Sequence, residues 1–256
     1  EQLRLTRPRQ YLHVLGMWHL WRGLTGPDDP PTQPAADEPG SVADDDELGE
    51  IARQARAETL ARRSWSASGP LLAALHAVPR ERFVAPEDMG DAAEDCALDL
   101  SDDEGSTLSA LHAYAAALSA LGLEPGDALV ELGTGNGYGA MLASEVVGPY
   151  GQVLSLELKD ELAAEAKRHL SGHPQTTVLC ADAHDVHRWQ GASKVYVAFS
   201  VVAVPEAWLD ALADDGKLVA PVGPVAEQIL TLFDKTDGRI RRTELGPVRY
   251  VPDRTA

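Results

Sequence analysis

The sequence predicts an α/β protein with a Rossmann-like, doubly wound, mostly parallel sheet. An antiparallel hairpin lies at its C-terminal end and a helical extension precedes it. Three observations carry this reading. The apolar run Ala128-Leu129-Val130-Glu131-Leu132 ends in a turn with glycine at 133, 135, 137 and 139, and a helix-like stretch follows over 140–147. Strand-like apolar runs and helical periods then alternate through residue 222, as βαβ units do. Lys235-Thr236-Asp237-Gly238, between two further strand-like runs, is a hairpin signal.

Residues 1–25 carry Arg4, Arg7, Arg9, Trp18, Trp21 and Arg22, with Leu12, Leu15 and His19 on one helical face. A short helix docked on its own domain is expected there. Residues 26–47 hold Pro27, Pro30, Pro31, Pro34 and Pro39 and end in Asp44-Asp45-Asp46-Glu47. Proline and acid without apolar residues bury too little surface to fold, so this stretch reads as a disordered linker.

Helical periodicity returns at Leu48, Ile51, Ala55, Thr59 and Leu60 and again at Leu71, Leu72 and Leu75, split by Gly69-Pro70. It reads as a lead-in over 48–77 to a domain spanning 48–256. Acids accumulate between Glu87 and Glu104. Ser106 or Thr107 reads as the N-cap of a helix over 108–121, which Gly122 ends. Pro125-Gly126-Asp127 turns into the first strand. After the glycine loop the pattern gives strands at 152–157, 176–180, 194–199, 217–222, 228–234 and 240–251, with helices at 160–170 and 206–212.

The chain has 256 residues, 44% of them hydrophobic, which suffices for one large domain with an appendage. Its formal net charge of -18 argues against a nucleic acid partner, because phosphate binding needs a basic surface. No apolar run approaches the roughly 20 residues of a membrane span, and the 11–18 patch is too short and mixed for a secretory signal. Cys96 and Cys180 make neither a disulfide framework nor a zinc site, so two isolated thiols in the cytoplasm are expected, with no metal. The chain opens at Glu1 without a methionine, which is compatible with further residues upstream.

Two ligands compete for the glycine loop. From Gly135 it reads Gly-x-Gly-x-x-Ala, a turn a dinucleotide uses. From Glu131 it reads Glu-x-Gly-x-Gly-x-Gly, the turn of S-adenosylmethionine methyltransferases. In either reading Glu157, at the end of the second strand, stands where an acid accepts both ribose hydroxyls.

The pieces appear in a recognisable order. Val-Pro-Arg-Glu-x-Phe-Val lies at 78–84, Thr-x-Ser at 107–109, Ala-Tyr-Ala at 113–115 and Pro-Gly-Asp at 125–127. Gly-Lys-Leu-Val-Ala-Pro-Val-Gly-Pro follows at 216–224 and Leu-Gly-Pro-Val-Arg-Tyr-Val-Pro at 245–252. Over about 75–252 the chain resembles the protein-L-isoaspartate O-methyltransferase family. The resemblance implies an S-adenosylmethionine pocket on Glu131, Gly133, Thr134, Gly135, Asn136 and Gly137. It gives Glu157 and Leu158 to the ribose side, and Asp182 and Ala183 to the adenine. It places Ser109, with Thr107, at the active site beside the methyl acceptor.

Two departures concern the acceptor side. The family's Gly-x-Gly-Gln run before Thr-x-Ser is replaced by 101–106, Ser-Asp-Asp-Glu-Gly-Ser, and the two residues that usually follow Ser-x are missing. The segment that recognises the substrate has therefore diverged while the cofactor half is kept. The resemblance implies S-adenosylmethionine-dependent methylation of an aspartyl or isoaspartyl carboxylate in a protein or peptide. A particular peptide precursor, held partly by residues 1–74, is one form of that acceptor. Arg80, Arg82 and Arg249 are candidate cations for it, and His112 a candidate donor. The rivals are a small-molecule methyltransferase on the same scaffold, a non-catalytic cofactor-binding module and a dinucleotide oxidoreductase.

Overall fold

Residues 42–62, 67, 69–100 and 105–255 are described by a computed structural model. The helix expected within 1–25, most of the 26–47 linker and the acids at 102–104 lie outside them. Residues 43–256 form one compact unit.

Helix α1, Val42–Ala61, starts inside the stretch expected to be linker. Its buried positions are Arg56, Thr59 and Leu60, whereas Ile51 is 59% exposed. Thr59 and Leu60 of the expected stripe are packed, whereas Ile51 is not. An arginine takes the central position because it finds partners: Arg56 Nη1 donates to Glu81 Oε2 at 2.7 Å and Nη2 to the His76 carbonyl at 3.0 Å. Helix α2, Gly69–Ala77, buries Leu71, Ala74 and Leu75.

A two-residue ladder follows, β1 (Leu98–Asp99) against β2 (Thr107–Leu108). Helix α3 is Leu111–Leu121, three residues shorter at its start than the sequence suggested. Neither Ser106 nor Thr107 caps it, because both belong to the extended segment that pairs with β1. Asp95, from a loop far back in the chain, accepts the backbone N–H of His112 at 2.9 Å and supplies the missing acceptor. Gly122 ends the helix as expected, with φ 60.

The main sheet has strands β3 (Ala128–Leu132), β4 (Gln152–Glu157), β5 (Thr176–Cys180), β6 (Ala192–Val197), β7 (Leu212–Val222), β8 (Gln228–Thr236) and β9 (Arg239–Val248). Their order is β5-β4-β3-β6-β7-β8-β9; the first five are parallel and the last two antiparallel. Helices α4 (Tyr138–Val147), α5 (Asp160–His169) and α6 (Glu206–Ala211) lie between the parallel strands in sequence. Leu129, Val130, Leu132, Val153, Leu156, Val195 and Val197 are all buried. That is why the central strands read as near-continuous apolar runs.

Several strand limits differ from expectation. β7 starts at Leu212, directly after α6, and Asp214-Asp215-Gly216 sits inside it as an irregularity with Asp215 at φ 62. β6 begins two residues earlier than expected, at Ala192. β9 stops at Val248, and Tyr250–Thr255 turns back toward β6: the Ser200 N–H donates to the Val251 carbonyl and the Asp253 N–H to the Ser200 carbonyl, both at 2.8 Å. The β8–β9 turn is a two-residue hairpin with Asp237 at φ 50 and Gly238 at φ 71, the left-handed pair that a type I′ turn requires.

The chain winds outward from β3 through β4 to β5, then returns to place β6 on the other side of β3. That reversal opens a crevice at the carboxyl ends of the strands, the usual ligand position of an open α/β sheet.

Candidate active site

A cleft occupies that crevice. One wall is Gly133 and Gly135 after β3, Glu157 and Leu158 at the end of β4, Asp182 and Ala183 after β5, and Ala198 and Phe199 after β6. The other wall is Leu100, Ser106 and Thr107 with the C-terminal segment 251–255.

The glycine turn is shaped by close approaches. Gly133 has φ 93, and a Cβ there would lie 2.9 Å from the Phe199 ring. Glu157, 8% exposed, reaches back across the turn: its Oε2 accepts the Gly135 N–H at 2.7 Å and its Oε1 the Lys159 N–H at 3.1 Å. Burial pushes the Glu157 carboxyl above its ordinary pKa, while the N–H groups of Lys159, Gly135 and Leu158 pull the other way. A carboxylate offers about four lone-pair directions, so these bonds leave it capacity to accept from a ligand hydroxyl.

Glu131, Thr134, Asn136 and Gly137 are not part of the lining. Glu131 is 1% exposed. Its Oε2 accepts the Ser155 hydroxyl at 2.5 Å, and the Thr134 hydroxyl is 2.6 Å from that of Ser155. Burial raises the Glu131 pKa to about 8, against the Ser155 hydrogen bond. Asn136 Nδ2 donates to the Phe83 carbonyl at 2.6 Å, and the Asn136 carbonyl is 2.8 Å from His169 Nδ1. A Cβ on Gly137 would come within 3.1 Å of Ala166 on α5. These four buttress the turn from behind.

In the second wall Thr107 lines the cleft, and Ser109 is half-buried but outside the lining. Side chains alternate along an extended segment, so Thr107 and Ser109 share a face while Leu108 points into the core. Arg80 fixes this segment. It is fully buried, and its guanidinium donates to the carbonyls of Ala92, Glu94, Cys96 and Ser109 at 3.1, 3.0, 2.7 and 3.1 Å. That commitment removes Arg80 from the candidate cations for a substrate; Arg82 and Arg249 are exposed. His112 Nδ1 is 2.9 Å from Asp95 Oδ1, so its ring pairs with the carboxylate that caps α3.

Sequence reasoning missed Leu100, Ser106, Phe199 and the 251–255 wall. Pro252 ends strand pairing but says nothing of where the chain goes next, so no local signal could have found the last of these.

A cleft lined by apolar Leu158, Ala183 and Phe199 and by two acids, Glu157 and Asp182, has the chemistry to take an adenosyl group. Sheet order, glycine turn and terminal acid together define a class I, Rossmann-like methyltransferase that uses S-adenosylmethionine. The family model described as Protein-L-isoaspartate(D-aspartate) O-methyltransferase (PCMT) matches residues 53–255. The chain belongs to that family.

The protein-L-isoaspartate O-methyltransferase of Methanococcus aeolicus is 36% identical over 182 residues, 70% of this chain and 83% of that one. Its counterpart in Methanopyrus kandleri is 35% identical over 217 residues, 82% and 95% of the two chains. A solved protein-L-isoaspartate O-methyltransferase aligns with TM-score 0.67 and 26% identity over 81% of this chain and 65% of its own length. A putative one from Plasmodium falciparum, in complex with S-adenosyl-L-homocysteine, has the same fold: TM-score 0.67 at 21% identity, covering 78% of this chain and 97% of that one.

Proposed function

We propose that the protein transfers a methyl group from S-adenosylmethionine to the side-chain carboxylate of an isoaspartyl or aspartyl residue in a protein or peptide. The observation that carries this reading is that Thr107 lines the same cleft as Gly133, Gly135 and Glu157, with Ser109 two residues further along the extended segment. Glu157 and Leu158 would hold the ribose, Asp182 and Ala183 the adenine, and Gly133 and Gly135 would admit the methionine part against the main chain. Glu131, Thr134, Asn136 and Gly137 keep that turn in shape.

When bound, S-adenosylmethionine supplies a methyl group made electrophilic by its sulfonium. The acceptor carboxylate has an ordinary pKa near 4, so it is ionised at neutral pH and no general base is required. The chain's own task is to hold and orient the carboxylate and to exclude water. Hydroxyls suit it: Thr107 and Ser109 donate hydrogen bonds without locking the carboxylate into a tight ion pair. Arg80 acts at one remove by fixing the main chain that carries them.

The free thiols of Cys96 and Cys180 are in keeping with a cytoplasmic setting, and no helix among the described residues is long and apolar enough to cross a membrane. The net charge of -18 disfavours nucleic acid as a partner.

The test is a transfer assay with methyl-labelled S-adenosylmethionine against an isoaspartyl peptide, its aspartyl twin and a metabolite extract. Base-labile label on the isoaspartyl peptide is the expected result. Label confined to a metabolite would replace the acceptor, and cofactor binding without transfer to any of the three would leave a binding module.

A further inference from the structure

The segment after β9 closes one side of the cleft: Val251, Pro252, Asp253, Arg254 and Thr255 all line it. Two backbone bonds to Ser200 set its register, and Arg254 Nη2 donates to Ser106 Oγ at 3.1 Å. Its third tie crosses to the far side. His184 Nε2 lies 2.8 Å from Asp253 Oδ2, and the Asp253 carboxylate is only 7% exposed. His184 belongs to the turn that holds Asp182, because its backbone N–H donates to Asp182 Oδ1 at 2.8 Å.

The pair therefore joins the turn assigned to the adenine directly to the wall that covers the cleft. Both partners are held in place from behind. The His184 ring packs on buried Trp208, centroids 5.0 Å apart, and Trp208 also meets Phe199 at 6.1 Å. The other oxygen of Asp253 accepts the Thr255 N–H at 3.0 Å and the Thr255 hydroxyl at 2.9 Å. A pre-formed hydrogen bond across a binding cleft lowers the entropy lost when a ligand orders its walls.

We infer that His184 and Asp253 form a latch that holds the C-terminal segment closed over the cofactor cleft, which makes His184 a positioning residue for S-adenosylmethionine. The inference rests on the cofactor reading of the cleft. Its consequence is specific: the latch governs cofactor affinity and residence, not the handling of the methyl acceptor.

The test compares the full chain with His184→Ala, His184→Gln, Asp253→Ala and the His184→Ala/Asp253→Ala pair. S-adenosylmethionine and S-adenosylhomocysteine binding are measured by calorimetry. Loss of one charge-assisted hydrogen bond that orders a wall predicts about a fivefold to tenfold rise in Kd for either single variant. The double variant stays within about twofold of the weaker single, since the two residues act as one unit. His184→Gln, whose amide can still donate to Asp253, recovers part of the affinity. KM for S-adenosylmethionine rises in step while kcat at saturating cofactor and KM for the peptide hold.

Trypsin offers a second readout through Arg249 and Arg254. Without cofactor, His184→Ala is cut there faster than the natural chain, and added S-adenosylmethionine slows the cut in both. Unchanged Kd and trypsin rates in His184→Ala, or strictly additive losses in the double variant, overturn the latch while leaving the cofactor reading intact. A natural chain that binds neither cofactor overturns both.

Discussion

The buried guanidinium of Arg80 holds the carbonyl of Ser109, 29 residues further along the chain, at 3.1 Å. The same side chain ties down Ala92, Glu94 and Cys96. One charge thus fastens the 92–96 loop to the extended segment that carries the candidate active-site hydroxyls.

Arg80→Met is expected to cost about 3–5 kcal/mol, because four carbonyls lose a charged donor in a buried site. Lys replaces the charge but not the fork, so Arg80→Lys keeps only part of the stability. Urea unfolding measures both. Methyl transfer should fall further than cofactor binding, since the carbonyls belong to the acceptor wall.

Glu131 makes stability depend on pH in an unusual direction. Its folded pKa, about 8, lies above the reference value of 4.5. The folded chain therefore holds this proton where the unfolded chain has released it. Stability falls as pH rises through the window from 4.5 to about 8, at up to about 1.4 kcal/mol per pH unit, and levels off above it. Glu131→Gln mimics the neutral form and should flatten that slope. The checking measurement is the difference in unfolding free energy between the two proteins across the window. A constant difference would show that Glu131 is ionised throughout.

Much of this molecule was legible before any coordinates. Strand 152–157 fell where its apolar run placed it, because a parallel strand covered on both faces has little polar side to blur the pattern, and the edge strand 176–180 fell in its expected place with only Val178 buried. Glu157 was legible because its place at a strand end follows from the glycine turn before it. The rest depended on partners distant in sequence. No local pattern says that Asp95 caps α3, that Arg56 and Arg80 are fully buried, or that residues 251–255 fold back over the cleft. A charged residue reads as exposed until its partners are known, and Arg80 has four of them on two separated stretches of backbone.

The remote cap has a separable effect. Asp95→Ala removes the acceptor of the His112 N–H at the start of α3 and should cost about 1 kcal/mol, as loss of an N-cap does. Asp95→Asn keeps an acceptor and should recover most of it. Thermal unfolding without cofactor is the measurement. A full loss in Asp95→Asn would instead assign the effect to the charge facing the His112 ring.

Glu157 separates cofactor binding from folding. Its carboxyl is buried and accepts the backbone N–H of Gly135 in the glycine turn and that of Lys159 just past its own strand. Glu157→Gln can accept only through its one carbonyl oxygen, so S-adenosylmethionine binding should weaken by about tenfold or more, the effect of losing one to two charged hydrogen bonds. Burial raises the Glu157 pKa, so neutralising it should leave unfolding stability equal or slightly higher. Affinity and stability moving together would show that Glu157 serves the fold alone.

The two hydroxyls of the acceptor wall make different predictions, because only one of them lines the cleft. Thr107→Val keeps the β-branched shape that suits its pairing with Asp99 and deletes only the hydroxyl. Ser109→Ala deletes the other and leaves its carbonyl on Arg80. Neither change touches the cofactor wall, so S-adenosylmethionine affinity should hold in both. If each hydroxyl binds the acceptor carboxylate during transfer, each deletion lowers kcat/KM for the peptide by about tenfold, one charged hydrogen bond's worth. Should Thr107 alone contact the acceptor, Ser109→Ala will match the natural enzyme in peptide kinetics. Ser109 would then serve only through its backbone, and the reaction would depend on Thr107 together with the rigidity that Arg80 provides.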